Sequence, residues 1–191
     1  GVEWSGLSFQ EKQAGGKTGL VLALVFVFVF LFLAALYESW TVPVAVLLSL
    51  PVAAFGAYIG EWVCGLENDI YFQIGLVMLM GMAAKNAILI VEFAKEQADK
   101  GVDALQAALY ASRLRFRPIL MTSLAFILGM LPMVIASGPG SASRQAIGTG
   151  VFFGMIFAVI FGIILVPFFF VLIYRSVSKL KGRRHTTVKS K

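Results

Sequence analysis

The chain has 191 residues, of which 59% are hydrophobic and only 14% are charged. Soluble domains carry about a quarter charged residues and roughly half apolar ones, so this composition excludes an ordinary soluble domain and makes lipid part of the solvent. The formal charge of +6 does not indicate nucleic acid, because much of the excess lies in a C-terminal tail directly after an apolar run. One cysteine, Cys64, and one histidine, His185, give no basis for a disulfide, and we expect no metal site.

Residues 1–17 form a mixed polar segment with neither a signal peptide nor an initiator methionine, and we expect the chain to be a fragment. Five apolar stretches follow, each near the length of about 20 residues that a helix needs to cross a bilayer. They cover residues 19–36, 42–60, 70–91, 118–136 and 148–174. None alternates with period two, so the predicted fold is all-α, a polytopic membrane bundle of five transmembrane helices within residues 18–175.

The prolines fit this division into spans. Pro43 and Pro118 stand near predicted helix starts, where a missing N–H costs least. Pro51, Pro132 and Pro167 fall inside spans, where we expect them to kink the helices. Small residues concentrate in the third and fifth spans, and close helix packing is the expected reason for them.

The segments between the spans differ in positive charge. If successive spans alternate in direction, one side of the membrane receives twelve Lys and Arg residues and the other receives three. The richer side holds the linker 92–117 and the basic tail 176–191. Cytoplasmic segments carry an excess of basic residues, so we expect the tail in the cytoplasm and residues 1–17 on the opposite, outer side of the membrane.

The linker 92–117 is predicted to be a short amphipathic helix at the cytoplasmic interface, with no necessary role beyond connecting two spans. Asp103 and Gln106 lie opposite an apolar face when the segment is drawn as a helix. The members of that apolar face are Val102, Leu105, Ala108 and Leu109.

Lys85 is the one full charge predicted inside a span. It lies 15 positions after Ile70, roughly 22 Å along a helix. A lysine there costs about 2.5–3.5 kcal/mol, so we expect it to face a protein interior and an acidic partner, with the neighbouring Asn86 as a candidate support. Snorkelling of the long stem toward the interface near Glu92 is the alternative. No Asp or Glu lies inside a predicted span, so we expect the counter-charge to come from outside this chain.

Thr122 and Ser123 lie one helical turn past Pro118, in the fourth span. Such hydroxyls commonly bond a backbone carbonyl one turn back, which is the alternative to a functional role. Three arginines precede the span at every second position: Arg113, Arg115 and Arg117. Their expected role is to anchor the helix at the headgroups, and the alternative is that one of them lines a water-filled path to the cytoplasm.

Five strings in the sequence carry a resemblance to a known family. They are FLAALYESW at 32–40, NDIYFQIG at 68–75, AKNAILIVEFAK at 84–95, RLRFRPILMTSLAFILG at 113–129 and GTG at 148–150. In this order they resemble the hydrophobe/amphiphile branch of the resistance–nodulation–division efflux pumps of Gram-negative bacteria. The likeness runs through nearly the whole chain, and the third string resembles the multidrug type rather than the metal-exporting branch.

The resemblance implies that the five spans are the eighth to twelfth helices of a twelve-helix inner-membrane transporter, about half of it, and that 1–17 ends its periplasmic porter region. In that family a homotrimer works with a periplasmic adaptor and an outer-membrane channel. It exchanges inward proton flow for export of amphiphilic drugs, with the proton gradient and no cofactor as its energy source. The family's proton relay falls on Lys85, Thr122 and Arg115, whereas its two aspartates and its drug pocket lie outside this chain.

Two other functions stay open at this point. A truncated pump that keeps its helices but no complete relay is a structural remnant, and the missing carboxylates favour it for the chain taken alone. A channel with Lys85 in its pore is the weaker alternative, because the spans lack rings of polar residues. An enzyme is not expected, since the sequence contains no phosphate-binding loop, no Ser–His–Asp set and no metal-spaced Cys/His cluster.

Overall fold

A computed structural model describes residues 18–37 and 41–188, so the predicted porter remnant at 1–17 lies outside the described residues. The described part is all-helical: α1 (Thr18–Tyr37), α2 (Thr41–Cys64), α3 (Ile70–Asp99), α4 (Ala104–Val134) and α5 (Ser141–Val188). Helices within Pro43–Cys64, Ile70–Asp99, Ala104–Val134 and Ser141–Ser176 are long and apolar enough to cross a membrane, and α1 adds the shorter apolar stretch Phe26–Ala35. The predicted all-α membrane bundle is therefore confirmed.

The centre of the bundle is α5, which packs against α2, α3 and α4, whereas α1 packs mainly on α2. Glycines allow the closest of these approaches. A Cβ atom at Gly56 would overlap the side chain of Phe157, and one at Gly60 would overlap Phe153. We call these four residues the α2–α5 seam. Such close packing takes the place of the hydrophobic drive that lipid cannot supply between helices.

The connection between α3 and α4 differs from the prediction. α3 begins at Ile70 as predicted, with the Asp69 Oδ1 accepting a 2.7 Å hydrogen bond from the backbone N–H of Phe72. It then continues to Asp99, and α4 begins already at Ala104, so residues 92–117 form the ends of two long helices and not a separate interfacial helix. A short turn joins them, in which Gly101 adopts a left-handed φ of 91°.

The residues of the apolar face predicted for that linker lie in different surroundings. Leu105 and Leu109 are exposed, as an apolar face directed at the membrane interface would be, whereas Ala108 is buried. The buried alanines of the two helix ends are Ala94, Ala98, Ala104, Ala107, Ala108 and Ala111. Small side chains of this kind let helices approach closely. Pro118, predicted near a helix start, consequently lies inside α4 together with Pro132.

The chain's two most basic segments lie at one end of the bundle. Arg175, near the end of the apolar part of α5, has its Nη2 atom 3.6 Å from Oδ2 of Asp103 in the α3–α4 turn. Arg113, Arg115 and Arg117 belong to the part of α4 that follows this turn. We call this the basic end.

Candidate functional site

Lys85 and Asn86 are neighbours in α3 but point in different directions. Lys85 is exposed, whereas Asn86 is half-buried and donates a hydrogen bond from Nδ2 to the Oγ of Ser123 in α4, at 3.2 Å. Ser123 itself is buried. The amide therefore ties α3 to α4 directly beside the lysine.

Two neighbouring polar residues of α4 also differ in exposure, since Thr122 is exposed and Ser123 is buried. α3 and α4 run antiparallel, so the residues that immediately precede the facing pair Asn86 and Ser123 lie on the same side of the two helices. Lys85 and Thr122 therefore share one side, as the resemblance implies. The Thr122 Oγ1 lies 3.1 Å from both the Pro118 and the Ile119 carbonyl oxygens, so the backbone-bonding alternative describes its geometry here.

The side of α3 and α4 that carries Lys85 and Thr122 is open. Gly81 lies one turn before Lys85, and Gly129 lies two turns after Thr122. A Cβ atom built at either glycine would meet nothing within 4 Å. We call these four residues the open face. Its small residues leave room for another helix to approach closely.

Lys85 has no hydrogen-bond or ion-pair partner among the side chains that the structure describes. A cation within a span requires a compensating group or a route to water, because the hydrocarbon core solvates charge poorly. The open face therefore carries an uncompensated positive charge. Snorkelling stays an alternative, since the side chain is exposed in this structure.

Arg115 lies two turns nearer the basic end than Thr122, on the same side of α4, because a separation of seven residues returns a helix nearly to the same direction. Its guanidinium carbon is 4.1 Å from the centroid of the Phe93 ring in α3, a cation–π contact. The Arg115 Nε is buried without a hydrogen-bond partner among the described residues. Arg113 and Arg117, by contrast, are exposed.

A small cavity lies on the inner side of α3, away from the open face. Its volume is about 20 Å³, and Ser49 and Asn86 are its polar lining residues. The Ser49 Oγ donates a 2.6 Å hydrogen bond to the Val46 carbonyl oxygen. A space of this size holds about one water molecule.

Sequence reasoning missed two polar residues. Ser123 was noted only beside Thr122, although it is the partner of Asn86. Glu61 was assigned to a loop, but α2 continues to Cys64, so a carboxylate does lie within a span. Glu61 is only 4% exposed, and its Oε1 has no hydrogen-bond partner in the described part of the chain. The sequence did contain a signal for Glu61, which follows Ala53 and Ala57 at intervals of four and so lies on the same side of a helix. In the structure both alanines are buried on that stripe of α2.

Comparisons with known proteins agree with the membrane architecture. A family model described as the AcrB/AcrD/AcrF family matches residues 1–174. The toluene efflux pump membrane transporter TtgB of Pseudomonas putida is 54% identical over 184 residues, which cover 96% of this chain and 17% of that protein. The multidrug resistance protein MdtF of Escherichia coli is 49% identical over 182 residues, 95% of this chain and 18% of that protein.

A third relative gives the same picture. The solvent-resistant pump membrane transporter SrpB of Pseudomonas putida is 48% identical over 190 residues, 99% of this chain and 18% of that protein. The chain thus spans less than a fifth of the length of the curated relatives that it matches.

Proposed function

The chain belongs to the AcrB/AcrD/AcrF family of resistance–nodulation–division efflux transporters, and from this premise we propose that it is the C-terminal transmembrane part of a drug/proton antiporter driven by the proton motive force. The observation that supports this most is the exposed, unpartnered Lys85 beside Thr122 on the open face. A cation placed there suits an acidic helix that lies elsewhere in the complete transporter.

The proposed mechanism is electrostatic switching. Deprotonated carboxylates on the facing helix attract the Lys85 ammonium, and at 4 Å with an effective dielectric near 20 the pair energy is about 4 kcal/mol before desolvation. Protonation of a carboxylate removes that attraction, so the ammonium reorients and the helices rearrange. A bias of several kcal/mol is enough to shift a two-state equilibrium between transport conformations.

The other polar residues take supporting roles in this proposal. Thr122 offers the lone pairs of its hydroxyl oxygen to the relay while its O–H donates to the backbone carbonyl oxygens of Pro118 and Ile119. Arg115 lies on the same side toward the basic end, where a proton would leave. Asn86 fixes α3 against α4 through Ser123, and so holds Lys85 in place.

The proposed assembly follows the family. The complete protein is a homotrimer in the inner membrane of a Gram-negative bacterium and works with a periplasmic adaptor and an outer-membrane channel. The basic end faces the cytoplasm, because basic residues accumulate there. No cofactor is required, since the proton gradient supplies the energy.

Substitution of Lys85 in the complete pump tests the relay. Lys85→Met keeps much of the stem and deletes the charge, so we expect drug export to collapse while membrane abundance and trimer formation stay normal. Lys85→Arg should also transport poorly, because a planar, permanently charged fork does not replace a compact ammonium. Thr122→Ala should cause a milder loss of about 1 kcal/mol, or several-fold.

The matched control is Lys100→Met, which removes an exposed lysine whose Nζ pairs with the Oε1 of Glu96 at 2.6 Å. This variant should export drugs normally. Drug resistance, measured together with the abundance of each variant in the membrane, distinguishes the relay from snorkelling. Normal export by a well-expressed Lys85→Met pump overturns the relay, and a silent Lys85→Arg would support snorkelling instead.

The chain by itself is expected to transport nothing, because Lys85 has no acidic partner among the described residues. Expression of the 191-residue chain in cells that lack their own efflux pumps should leave drug susceptibility unchanged. Restored resistance would show that the relay chemistry has been assigned to the wrong residues.

A further inference from the structure

The side of α4 opposite to Thr122 carries a long stripe of exposed side chains. Seven residues follow one another at intervals of three or four, which keeps them on one side of a helix. They are Arg113, Arg117, Met121, Leu124, Leu128, Leu131 and Ile135, and we call them the outer stripe. The exposure is high along its length, at 68% for Met121, 65% for Leu128 and 71% for Ile135.

The outer stripe points away from the open face. With about 100° of rotation per residue, Thr122 lies about 180° from Arg113 and about 140° from Arg117 around the α4 axis. The two faces also differ in side-chain size. The open face has glycines at Gly81 and Gly129, whereas the outer stripe has large apolar residues. A helix that packs against Lys85 therefore does not itself cover the outer stripe.

The length of the stripe matches a bilayer. Arg117 and Ile135 are 18 residues apart, roughly 27 Å along a helix, and the hydrocarbon core of a membrane is about 30 Å thick. The apolar members, Met121 to Ile135, cover roughly 21 Å and therefore most of the hydrocarbon depth, which places the two arginines toward the headgroups of one leaflet. Acyl chains are the natural cover for such a surface.

The two arginines lack compensation. Arg113 and Arg117 are exposed, one turn apart, and no carboxylate in residues 18–37 or 41–188 forms an ion pair with either of them. Asp103, the acidic residue nearest to them along α4, is engaged with Arg175. Arg115, between them in sequence, is turned toward Phe93 instead. Two guanidinium groups so placed suit a phosphate, to which arginine can donate two hydrogen bonds at once.

We propose that the outer stripe binds an anionic phospholipid, with its phosphate held by Arg113 and Arg117 and its acyl chains lying along Met121, Leu124 and Leu128. The adjoining apolar surface favours a membrane lipid over a soluble phosphate. Two neighbouring cations favour a net-negative headgroup over a zwitterionic one, whose ammonium they repel. The site does not involve the proton relay.

Native mass spectrometry of the complete pump, titrated with phosphatidylglycerol or with phosphatidylethanolamine, tests this proposal. The unsubstituted protein should retain phosphatidylglycerol in preference. At roughly a fivefold contribution from each arginine near a membrane surface, the double variant Arg113→Gln/Arg117→Gln should bind phosphatidylglycerol at least about tenfold more weakly. Unchanged binding would overturn the proposal, as would equal binding of the two lipids before substitution.

A second double variant controls for charge alone. Lys100→Gln/Arg144→Gln removes the same number of cations, but Lys100 pairs with Glu96 and Arg144 donates to the carbonyl oxygens of Gly140 and Pro139. Binding should stay within about twofold of the unsubstituted protein. An equal loss in both double variants would mean diffuse attraction and no site.

A photo-crosslinking residue at Met121 identifies the cover directly. In cell membranes it should crosslink to phospholipid. A crosslink to another protein segment would show that a helix, and not lipid, occupies the outer stripe.

Discussion

The glycines of the α2–α5 seam and those of the open face have opposite surroundings. A Cβ atom at Gly56 or Gly60 would overlap a phenylalanine of α5, whereas one at Gly81 or Gly129 would meet nothing within 4 Å. Both pairs lie in membrane-spanning helices, where glycine is used for close approach. The seam shows a close approach between two helices, and the open face shows room for one, which the proposed function assigns to a helix of the complete transporter.

Because of this difference, we expect substitutions in the two regions to affect different properties, namely the stability of the helices or transport by the complete protein. Substitutions in the seam should damage folding in any context, because the contact is internal to these five helices. Substitutions on the open face should leave the five helices folded and should matter only where the rest of the transporter is present.

The largest effect is expected in the seam. Gly60→Leu places a branched side chain where Phe153 already lies. Overpacking of this kind costs about 1–3 kcal/mol and occasionally more, and a leucine against a ring belongs to the upper range. Fluorescence-detected size exclusion in detergent after heating should show loss of the folded chain. Gly129→Leu is the matched control and should retain its melting temperature.

Gly81→Leu should separate the two regions most clearly. In the 191-residue chain we expect a stability change of less than about 0.5 kcal/mol, because a side chain there meets empty space. In the complete pump the same change should block the approach of the facing helix and lower drug export at least about tenfold. Equal export at equal abundance would mean that no helix packs on the open face.

A smaller effect is expected at the contact between α3 and α4. Removing either side chain of the Asn86–Ser123 hydrogen bond should cost about 1 kcal/mol, and a double-mutant cycle with Asn86→Ala and Ser123→Ala should give a coupling energy of similar size. The measurement is thermal or denaturant unfolding in detergent. Strictly additive losses would mean that the two side chains do not act together.

An effect of similar size but opposite sign is expected at Glu61, the buried carboxyl-bearing residue of helix α2. Its Oε1 lacks a partner in the described part of the chain, so Glu61→Leu should raise the free energy of unfolding by about 1 kcal/mol. Glu67→Leu, at an exposed position, should change it little. The measurement is thermal unfolding of the 191-residue chain in detergent, where destabilisation by Glu61→Leu would mean that the carboxyl group stabilises these five helices.

Sequence alone predicted the helices and the family well, for a physical reason. Each span is a long apolar run bounded by polar residues, and hydrocarbon thickness fixes its length. The start of α3 at Ile70 was predicted to the residue, because the apolar run begins there, and the structure adds that Asp69 is its N-cap. The family resemblance, drawn from strings such as AKNAILIVEFAK, is confirmed by the match over residues 1–174.

Helix ends were harder to predict where a helix continues through charged residues beyond its apolar run, as α3 does up to Asp99. The charged residues around Glu96 suggested a boundary, but a helix extends through exposed charges without penalty when alanines pack it against a neighbour. Glu61 was misplaced for the related reason that an acidic residue was taken as the end of α2.

At the site, the sequence identified Lys85 as an unusual charge within a span, but not which side of α3 carries it or that it is exposed. The roles of Lys85, Thr122, Arg115 and Asn86 remain predictions. The structure adds where these residues lie. The hydrogen bond between Asn86 and Ser123 shows which faces of α3 and α4 meet, and this fixes the side on which Lys85 and Thr122 lie. Two residues of ordinary polarity, 37 positions apart, gave no local signal of this contact.

The turn after Asp99 has a mechanical consequence. α3 and α4 run as continuous helices with buried alanines as far as their tips, which the turn joins. Lys85 lies 14 residues before Asp99, roughly 21 Å, so a tilt of about 10° pivoting at the lysine displaces the tip by about 4 Å. The Asp103–Arg175 contact couples that tip to the end of α5. Under the proposed electrostatic switching, the two helix ends would act as a lever that amplifies a small displacement beside the lysine, and a distance probe at the turn would report the charge state of the relay.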